Sequence, residues 1–191
     1  MTKVLGITGG IGSGKTTITK FIESLGIPVY ISDDRAKVIL DTKEVHDELS
    51  KYFDVVENGL VNRKKLASIV FNDKTKLEIL NSIIHPKVAK DFDNWKNEHP
   101  VALVAKEAAI LFETGGDKLC DFVMLVTAPE EIRLQRIVSR DNANIEEAKL
   151  RMSAQLSDKY KAELSDFVIY NVDLDKAKEE TRKVISQIGN I

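Results

Sequence analysis

Residues 9–16 read GGIGSGKT and form the most specific pattern in this chain. The pattern is that of a phosphate-binding loop, which requires Gly, any four residues, Gly, Lys and then Ser or Thr. The apolar run of residues 4–8 predicts a buried strand before the loop, and the apolar spacing of residues 18–25 predicts a helix after it. Gly26 stands where a helix C-terminal cap is expected. The pattern therefore occurs in the order of strand, loop and helix that such a loop requires.

The loop pattern has a direct chemical interpretation as a nucleotide site. Glycines let successive backbone N–H groups turn toward phosphate oxygens, and the following helix presents its positive end to them. Lys15 adds a charge for the β- and γ-phosphates, and Thr16 offers a hydroxyl to the Mg²⁺ that arrives with ATP. The ATP contacts expected in this segment are Gly10, Ile11, Gly12, Ser13, Gly14, Lys15, Thr16 and Thr17.

Short apolar runs alternate with helical periodicity along the chain, which predicts an α/β fold with a parallel sheet. The runs are apolar on both faces, as buried parallel strands are. The predicted strands are residues 4–8, 28–31, 101–105, 122–127 and 167–170. The later predicted helices are residues 34–40, 44–53, 63–71, 76–84, 129–140, 144–161 and 174–188. Because residues 32–100 carry no strand signal, we expect a helical insert over one edge of the sheet.

Composition and charge argue against several classes of partner. The chain has 28 Lys and Arg against 30 Asp and Glu, a net charge of −2, so no nucleic-acid partner is expected. No apolar run approaches the roughly 20 residues of a membrane-spanning helix, so no membrane partner is expected. A single cysteine, Cys120, predicts a cytoplasmic location, and three scattered His predict no metal site made by the protein alone. Every apolar stripe can be assigned to the core, so a monomer is favoured.

The class of phosphate-binding-loop protein follows from motifs elsewhere in the sequence. A GTPase requires an Asn-Lys-x-Asp segment and an Asp-x-x-Gly switch, and neither string occurs. A motor or transporter ATPase typically has an apolar strand that ends in Asp, whereas the run from residue 101 leads into Lys106 and Glu107. Both classes are therefore disfavoured.

The loop and the landmarks after it resemble the dephospho-coenzyme A kinase family. The matching segments are residues 6–17, Ile31-Ser32-Asp33, Asn62-Arg63 with Leu66 and Phe71, His85-Pro86, residues 109–113, Gln155 and residues 166–171. The resemblance implies a three-layer P-loop kinase fold with a five-stranded parallel sheet. It also implies a single domain, whose core comprises residues 1–31, 100–135 and 165–191. The acceptor-binding helical insert is then residues 32–99, and the helical lid is residues 136–164.

The reaction that the resemblance implies is transfer of the ATP γ-phosphoryl group to the 3′-hydroxyl of the ribose of dephospho-coenzyme A. The implied catalytic residues are Asp33, which orients the hydroxyl and accepts its proton, Lys15 and Arg140. The further implied ATP contacts are Arg136, Arg140 and Asn171. The implied contacts to the acceptor are Thr8, Asp33, Arg63, His85 and Glu113. The substrates are ATP, carrying Mg²⁺, and dephospho-coenzyme A.

Each implied role has a structural alternative. Asp33 is also a suitable cap for the helix of residues 34–40. Arg133, Arg136 and Arg140 recur at helical spacing, which is usual for a solvent-facing stripe. His85 precedes a proline and is a suitable helix end. Arg63 and Glu113 are suited to ion pairs, and Asn171 to a turn.

Three positions depart from the family pattern. Ile31 replaces the first Asp of a pair, Ala109 replaces a proline, and Lys37 stands where Arg is common. The nearest functional alternative is another small-metabolite or nucleoside monophosphate kinase, with a different acceptor. A second alternative is a non-catalytic ATP-binding regulatory module, which the residue at position 31 favours.

Overall fold

The fold is described by a computed structural model that covers residues 2–71, 73–142 and 144–189. Residues 1, 143, 190 and 191 of the predicted core and lid, and residue 72 of the predicted insert, lie outside the described residues. The strands in chain order are β1 (Lys3–Thr8), β2 (Val29–Ile31), β3 (Val56–Glu57), β4 (Leu60–Val61), β5 (Leu103–Glu107), β6 (Phe122–Thr127) and β7 (Phe167–Tyr170). The helices in chain order are α1 (Lys15–Ser24), α2 (Ser32–Leu40), α3 (Lys43–Leu49), α4 (Arg63–Val70), α5 (Lys74–Glu98), α6 (Glu130–Asp141), α7 (Ile145–Ser153), α8 (Asp158–Glu163) and α9 (Leu174–Gly189).

The chain forms two compact units, Met1–Ile31 with His99–Ile191 and, separately, Ser32–Glu98. The first unit contains a five-stranded sheet in the order β2-β5-β1-β6-β7, in which all neighbouring strands run parallel. β2 and β5 lie on one side of the central strand β1, and β6 and β7 lie on the other. In such sheets a ligand crevice forms at the carboxyl ends of the strands, where the strand order reverses. The predicted three-layer α/β class with a five-stranded parallel sheet is confirmed.

The central strand β1 is packed on both faces. Leu5 and Ile7 are fully buried in a core that they share with residues of α1 and α9. Gly6 points to the opposite face, because side chains alternate along a strand. A Cβ atom at Gly6 would lie 2.8 Å from Cys120 Sγ and 2.9 Å from Leu111 Cδ2. This packing on both faces fixes the position from which the phosphate-binding loop starts.

Four of the predicted strands agree with the structure to within one residue at each end, and β5 does not. β5 was expected at residues 101–105 and spans Leu103–Glu107. Its register with β1 pairs Ile7 with Glu107, so the strand extends level with the end of β1. Lys106 and Glu107 are 5% and 4% exposed, and buried charged residues carry no strand signal in a sequence. The pairing with β1, rather than local propensity, determines this boundary.

The predicted helix of residues 144–161 is wrong, because α7 and α8 are separated by residues 154–157. Asn144 caps α7, since its side chain accepts a hydrogen bond from Glu147 N. Ser157 caps α8 in the same way, with its Oγ 3.2 Å from Tyr160 N. Residues 154–157 contain no Gly or Pro, so the sequence carries no strong signal for this break.

The second unit consists of α2 to α5 and the β3–β4 hairpin, with its own apolar core. The expectation of no strand in this region is wrong. Asn58 and Gly59 form the turn of the hairpin with φ angles of 52° and 76°. Positive φ at both turn residues is the geometry that Asn-Gly favours between two strands. Two-residue strands are too short to be recognised from periodicity, although the turn itself carries a signal.

The helices of the second unit differ in length from those predicted. α5 spans Lys74–Glu98 rather than residues 76–84 and passes through Pro86. His85 therefore lies inside a helix, and the interpretation that it ends one is wrong. Ile83 and Ile84 of this helix are buried in the core of the unit, and such packing compensates for the hydrogen bond that the proline removes. In the described part of the chain, no helix combines the length and apolar composition needed to cross a bilayer.

Candidate functional site

The phosphate-binding loop joins β1 to α1, as the sequence predicts. Gly12 and Gly14 adopt φ angles of 81° and 84°, a left-handed conformation that glycine adopts without strain. Gly14 occupies the N-cap of α1 and has no side chain to accept from the first-turn N–H groups. The first turn contains no acidic residue. The positive end of α1 is therefore available to an anion.

Neighbouring groups pack so closely against the loop that larger residues are excluded. A Cβ atom at Gly12 would lie 2.6 Å from the carbonyl oxygen of Arg133. A Cβ atom at Gly14 would overlap the side-chain amide of Asn171. The loop is therefore held from behind by α6 and by the residue that follows β7.

Lys15 forms an ion pair with Glu107 at the end of β5. The two side chains are 12% and 5% exposed, so this is a largely buried pair. Sequence analysis missed Glu107, because the predicted strand ended two residues earlier. The available signal was a carboxylate two residues after an apolar run, at the edge where phosphate-binding-loop proteins place an acidic residue.

Arg133 is 7% exposed, so its assignment to a solvent-facing arginine stripe is wrong. Its Nε donates to the carbonyl oxygen of Ile11 at 3.0 Å, and its Nη1 lies 2.8 Å from Asp158 Oδ2. Asp158 also accepts a hydrogen bond from the hydroxyl of Thr127. Arg133 thus connects the loop to the start of α8 and to the end of β6.

Arg136 and Asn171 hold the second half of the loop. Arg136 Nη1 lies 3.4 Å and 3.3 Å from the carbonyl oxygens of Gly12 and Ser13, and its Nη2 donates to the carbonyl oxygen of Asn171 at 2.9 Å. Asn171 is 4% exposed, and its amide Nδ2 donates to the carbonyl oxygen of Ser13 at 2.9 Å. These bonds turn the Gly12 and Ser13 carbonyl groups away from the site of an incoming anion.

Arg140 lies near the end of α6 with its side chain 61% exposed. Its guanidinium donates to both carboxylate oxygens of Asp141, at 2.7 Å and 2.9 Å. Arg151 of α7 donates to the same carboxylate at 2.6 Å. Hydrogen bonds from Arg140 and Arg151 hold the pKa of Asp141 well below its usual range. One carboxylate therefore binds an arginine from each of two successive helices.

A cavity of about 850 Å³ opens over the loop. Its wall combines the loop, the start of α1, the loop after β5, polar residues of α6 and the turn between α7 and α8. The residues besides 9–17 that line it include Ala109, Arg136, Arg140 and Gln155. Three cationic side chains border the cavity, of which Lys15 pairs with Glu107, Arg140 pairs with Asp141 and Arg136 bonds to backbone carbonyl groups. A polyphosphate is the ligand class that this combination of N–H groups and cations suits.

Thr8 and Glu113, two expected acceptor contacts, lie at the loop after β5. Thr8 is fully buried, and its hydroxyl lies 3.4 Å from the carbonyl oxygen of Ala109. Glu113 forms an ion pair with the fully buried Lys161 at 2.9 Å and accepts a hydrogen bond from Leu156 N at 3.0 Å. The ion pair that sequence analysis kept as an alternative for Glu113 is therefore present.

Asp33, Arg63 and His85 belong to the second unit. Asp33 is exposed and lies inside the first turn of α2, because the helix begins at Ser32 rather than at residue 34. Arg63 pairs with Asp41 at 2.5 Å. Burial lowers the pKa of His85, which favours its neutral imidazole.

Comparisons with known proteins give matches that cover most of this chain. The family profile described as Dephospho-CoA kinase matches residues 3–176. A protein of that name from Porphyromonas gingivalis is 46% identical over 79% of this chain and 76% of its own length. The crystal structure of TT1252 from Thermus thermophilus matches with a TM-score of 0.91, 30% identity and 97% of each chain covered. The structure of dephospho-CoA kinase from Campylobacter jejuni matches with a TM-score of 0.72, 30% identity and both chains fully covered, at 100%.

Proposed function

We propose that this chain, which belongs to the dephospho-CoA kinase family, transfers the γ-phosphoryl group of ATP to the 3′-hydroxyl of the ribose of dephospho-coenzyme A. The products are coenzyme A and ADP, and the reaction is the last step of coenzyme A biosynthesis. The observation that carries the proposal is that the loop, Lys15, Arg136 and Arg140 border one cavity of about 850 Å³. A cavity of this size is within the usual range for small-molecule sites.

The phosphate side of the reaction requires positioning and charge neutralisation rather than covalent chemistry. We assign the loop N–H groups and the positive end of α1 to the phosphates. Lys15 turns from Glu107 to the β- and γ-phosphate oxygens. The phosphates thus replace the Glu107 carboxylate as the anionic partner of the Lys15 amine. Arg136 and Arg140 add positive charge from α6. Asn171 acts through its bond to the Ser13 carbonyl group, which keeps the loop in shape.

Asp33 is the group we assign to the acceptor hydroxyl. It follows the carboxyl end of β2 by two residues, and this end of a doubly wound sheet is where ligands bind. Its carboxylate orients the 3′-hydroxyl and accepts its proton. Thr8, Arg63, His85 and Glu113 remain proposed acceptor contacts. Residues 32–99 are proposed as the acceptor-binding insert and residues 136–164 as the lid.

Mg²⁺ bound to ATP fits the oxygen donors beside the loop. Thr16 exposes a hydroxyl in the first turn of α1, and Glu107 supplies a carboxylate at the end of β5. Hydroxyl, carboxylate, water and phosphate oxygens are the ligands that Mg²⁺ prefers. When bound, the ion neutralises charge on the β- and γ-phosphates. Among the described residues, no group of three or more His, Cys, Asp or Glu could hold a metal ion.

The test is a coupled assay of ADP release from MgATP with dephospho-coenzyme A and with a panel of nucleoside monophosphates. We expect turnover on dephospho-coenzyme A, with phosphorus NMR placing the new phosphate on the 3′-oxygen. Turnover on a nucleoside monophosphate alone would show that the proposed acceptor, dephospho-coenzyme A, is wrong. ATP binding without turnover on any acceptor would favour the regulatory alternative.

The role of Asp33 is tested by Asp33→Asn, which keeps the size of the side chain and removes the proton acceptor. We expect kcat to fall at least about 100-fold. Asp34→Asn is the matched control, because Asp34 is exposed in the same helical turn and pairs with Lys37 at 2.7 Å. Survival of kcat to within about threefold in Asp33→Asn corresponds to less than ~1 kcal/mol of barrier and would refute the role.

A further inference from the structure

Gln155, in the turn between α7 and α8, forms a hydrogen bond with the phosphate-binding loop. Its side chain accepts from Ile11 N, with 2.9 Å between the nitrogen and the oxygen Oε1. Because the loop atom is an N–H donor, the amide oxygen must face the loop, and the amide Nε2 faces elsewhere. Gln155 also lines the cavity over the loop. Its NH₂ group is therefore available for a second hydrogen bond.

Two contacts that follow Gln155 in the chain anchor the turn that carries it. Leu156 N donates to Glu113 at 3.0 Å, and Glu113 in turn pairs with the buried Lys161. Asp158, the first residue of α8, pairs with Arg133 at 2.8 Å. Gln155 is consequently held in place by contacts that exist before nucleotide binds. Groups positioned in this way need little reorganisation when charge develops beside them.

The geometry also indicates which part of ATP lies near Gln155. Lys15, which serves the β- and γ-phosphates in such loops, has its amine at Glu107 on the β5 side of the loop. Ala109 follows Glu107 by two residues and lines the same cavity as Gln155. The Ala109 carbonyl oxygen accepts from Lys161 Nζ at 3.1 Å, which joins this part of the wall to α8. Gln155 and Lys15 therefore line the same cavity, and we infer that the γ-phosphate binds between them.

We propose that Gln155 is a catalytic residue, whose Nε2 donates a hydrogen bond to an oxygen of the transferred phosphoryl group while its Oε1 stays on Ile11 N–H. The inference rests on the proposed function, since it concerns the same site. Gln155 transfers no proton and remains neutral throughout. Its contribution is a fixed donor that strengthens as negative charge moves during phosphoryl transfer.

The experiment compares Gln155→Glu with Gln155→Met. Glutamate keeps an oxygen that accepts from Ile11 N–H, but it replaces the donor by a negative charge. Methionine keeps the length and removes both hydrogen bonds. Gln187→Glu in α9 is the matched control, because Gln187 is exposed and belongs to the same unit. For each variant, kcat is measured with MgATP, and the Kd values of MgATP and MgADP are measured by calorimetry.

We expect Gln155→Glu to lower kcat on the order of 10²-fold, which is the usual cost of losing one transition-state donor. The Kd of MgATP should rise about tenfold or more, while the Kd of MgADP, which has no γ-phosphate, stays within about threefold. Gln155→Met should show a smaller change in the same direction. Gln187→Glu should match the wild type in all three quantities.

Two results would overturn the proposal. Equal weakening of MgATP and MgADP would mean that Gln155 only supports the loop, and an unchanged kcat in Gln155→Glu would mean that it makes no contact in the transition state. If Gln155→Glu does not fold, the ratio of the two Kd values in Gln155→Met decides, and an unchanged ratio refutes the proposal. Absence of turnover by the wild type would refute the proposed function, whereas the comparison of ATP with ADP would still test Gln155.

Discussion

Lys161→Met tests whether the buried ion pair with Glu113 fixes the loop after β5 to α8. Lys161 is 0% exposed and Glu113 is 20% exposed, so the substitution leaves a mostly buried carboxylate without its cation. Removing one partner of a buried pair costs about 3–5 kcal/mol of unfolding free energy. The remaining exposure of Glu113 and its bond from Leu156 N favour the lower end of this range. The lost hydrogen bond to the Ala109 carbonyl oxygen adds about 1 kcal/mol.

We therefore expect a total loss of about 4 kcal/mol, or a decrease in Tm of about 8–16 °C for a chain of this size. The assay is urea unfolding followed by far-UV circular dichroism. Lys183→Met is the control, because Lys183 forms an ion pair with Glu179 in which the side chains are 71% and 65% exposed. Its unfolding midpoint should stay unchanged, since exposed pairs contribute little.

The double variant Lys161→Met with Glu113→Gln separates burial of a charge from simple loss of packing. Because both charges are removed, we expect it to recover about half of the loss in Lys161→Met. A loss below about 1 kcal/mol in Lys161→Met would refute the reasoning, as that is the size of an ordinary hydrogen bond. Additive losses in the double variant would also refute it.

Three further predictions concern charge and ionisation. Glu107→Gln should lower kcat about 10–100-fold at saturating MgATP, because Glu107 is the carboxylate that we propose beside the Mg²⁺ of the bound nucleotide; ADP release measures this. Asp141→Asn should tighten MgATP binding up to about fivefold at low salt, because ATP no longer competes with the carboxylate for Arg140; calorimetry measures the Kd. Burial raises the pKa of Cys120 from 9.0 to about 11, so alkylation by iodoacetamide at pH 8 should be about 100-fold slower in the native than in the urea-unfolded chain.

Each of these predictions has a result that contradicts it. For Glu107, an unchanged kcat would show that MgATP needs no carboxylate at the end of β5. For Asp141, an affinity gain that persists undiminished in 1 M salt would exclude release of an exposed arginine as the cause, because such an interaction is screened. For Cys120, native and unfolded chains that react at the same rate would show that the thiol is not buried as described.

The phosphate-binding loop and four of the five strands of the large sheet were predictable because they depend on local sequence. The pattern of residues 9–16 contains both the glycines that the backbone requires and the cation that the ligand requires. Glu107 and Arg133 were not predictable in the same way. Whether a charged residue is buried depends on the element opposite to it, which for Glu107 is β1 and for Arg133 is the loop itself. Periodicity alone does not distinguish an arginine that faces solvent from one that supports a loop.

The break between α7 and α8 was also not predictable from local sequence. Ser157 is a suitable N-cap, but Ser within a helical pattern is too common to predict a break without Gly or Pro nearby. What fixes the turn is its tertiary contacts, above all Glu113 with Leu156 N and Gln155 with Ile11 N. The residue that contacts the loop is therefore displayed by a turn that the chain does not form from local preference. Long-range contacts of this kind cannot be derived from one sequence.

The point at which the chain leaves and re-enters the sheet has a consequence for how specificity can change. The second unit begins after Ile31 and ends before His99, and the strands on either side of it, β2 and β5, are neighbours that pair Ile31 with Glu107. A crossover of about a dozen residues satisfies such a parallel pairing, so the sheet itself does not require the whole 32–98 segment. The bonds to the phosphate-binding loop come instead from α6, the turn before α8 and the residue after β7. Under the proposed function, recombination at these two boundaries exchanges Asp33, Arg63 and His85 and leaves the loop and its supporting bonds in place.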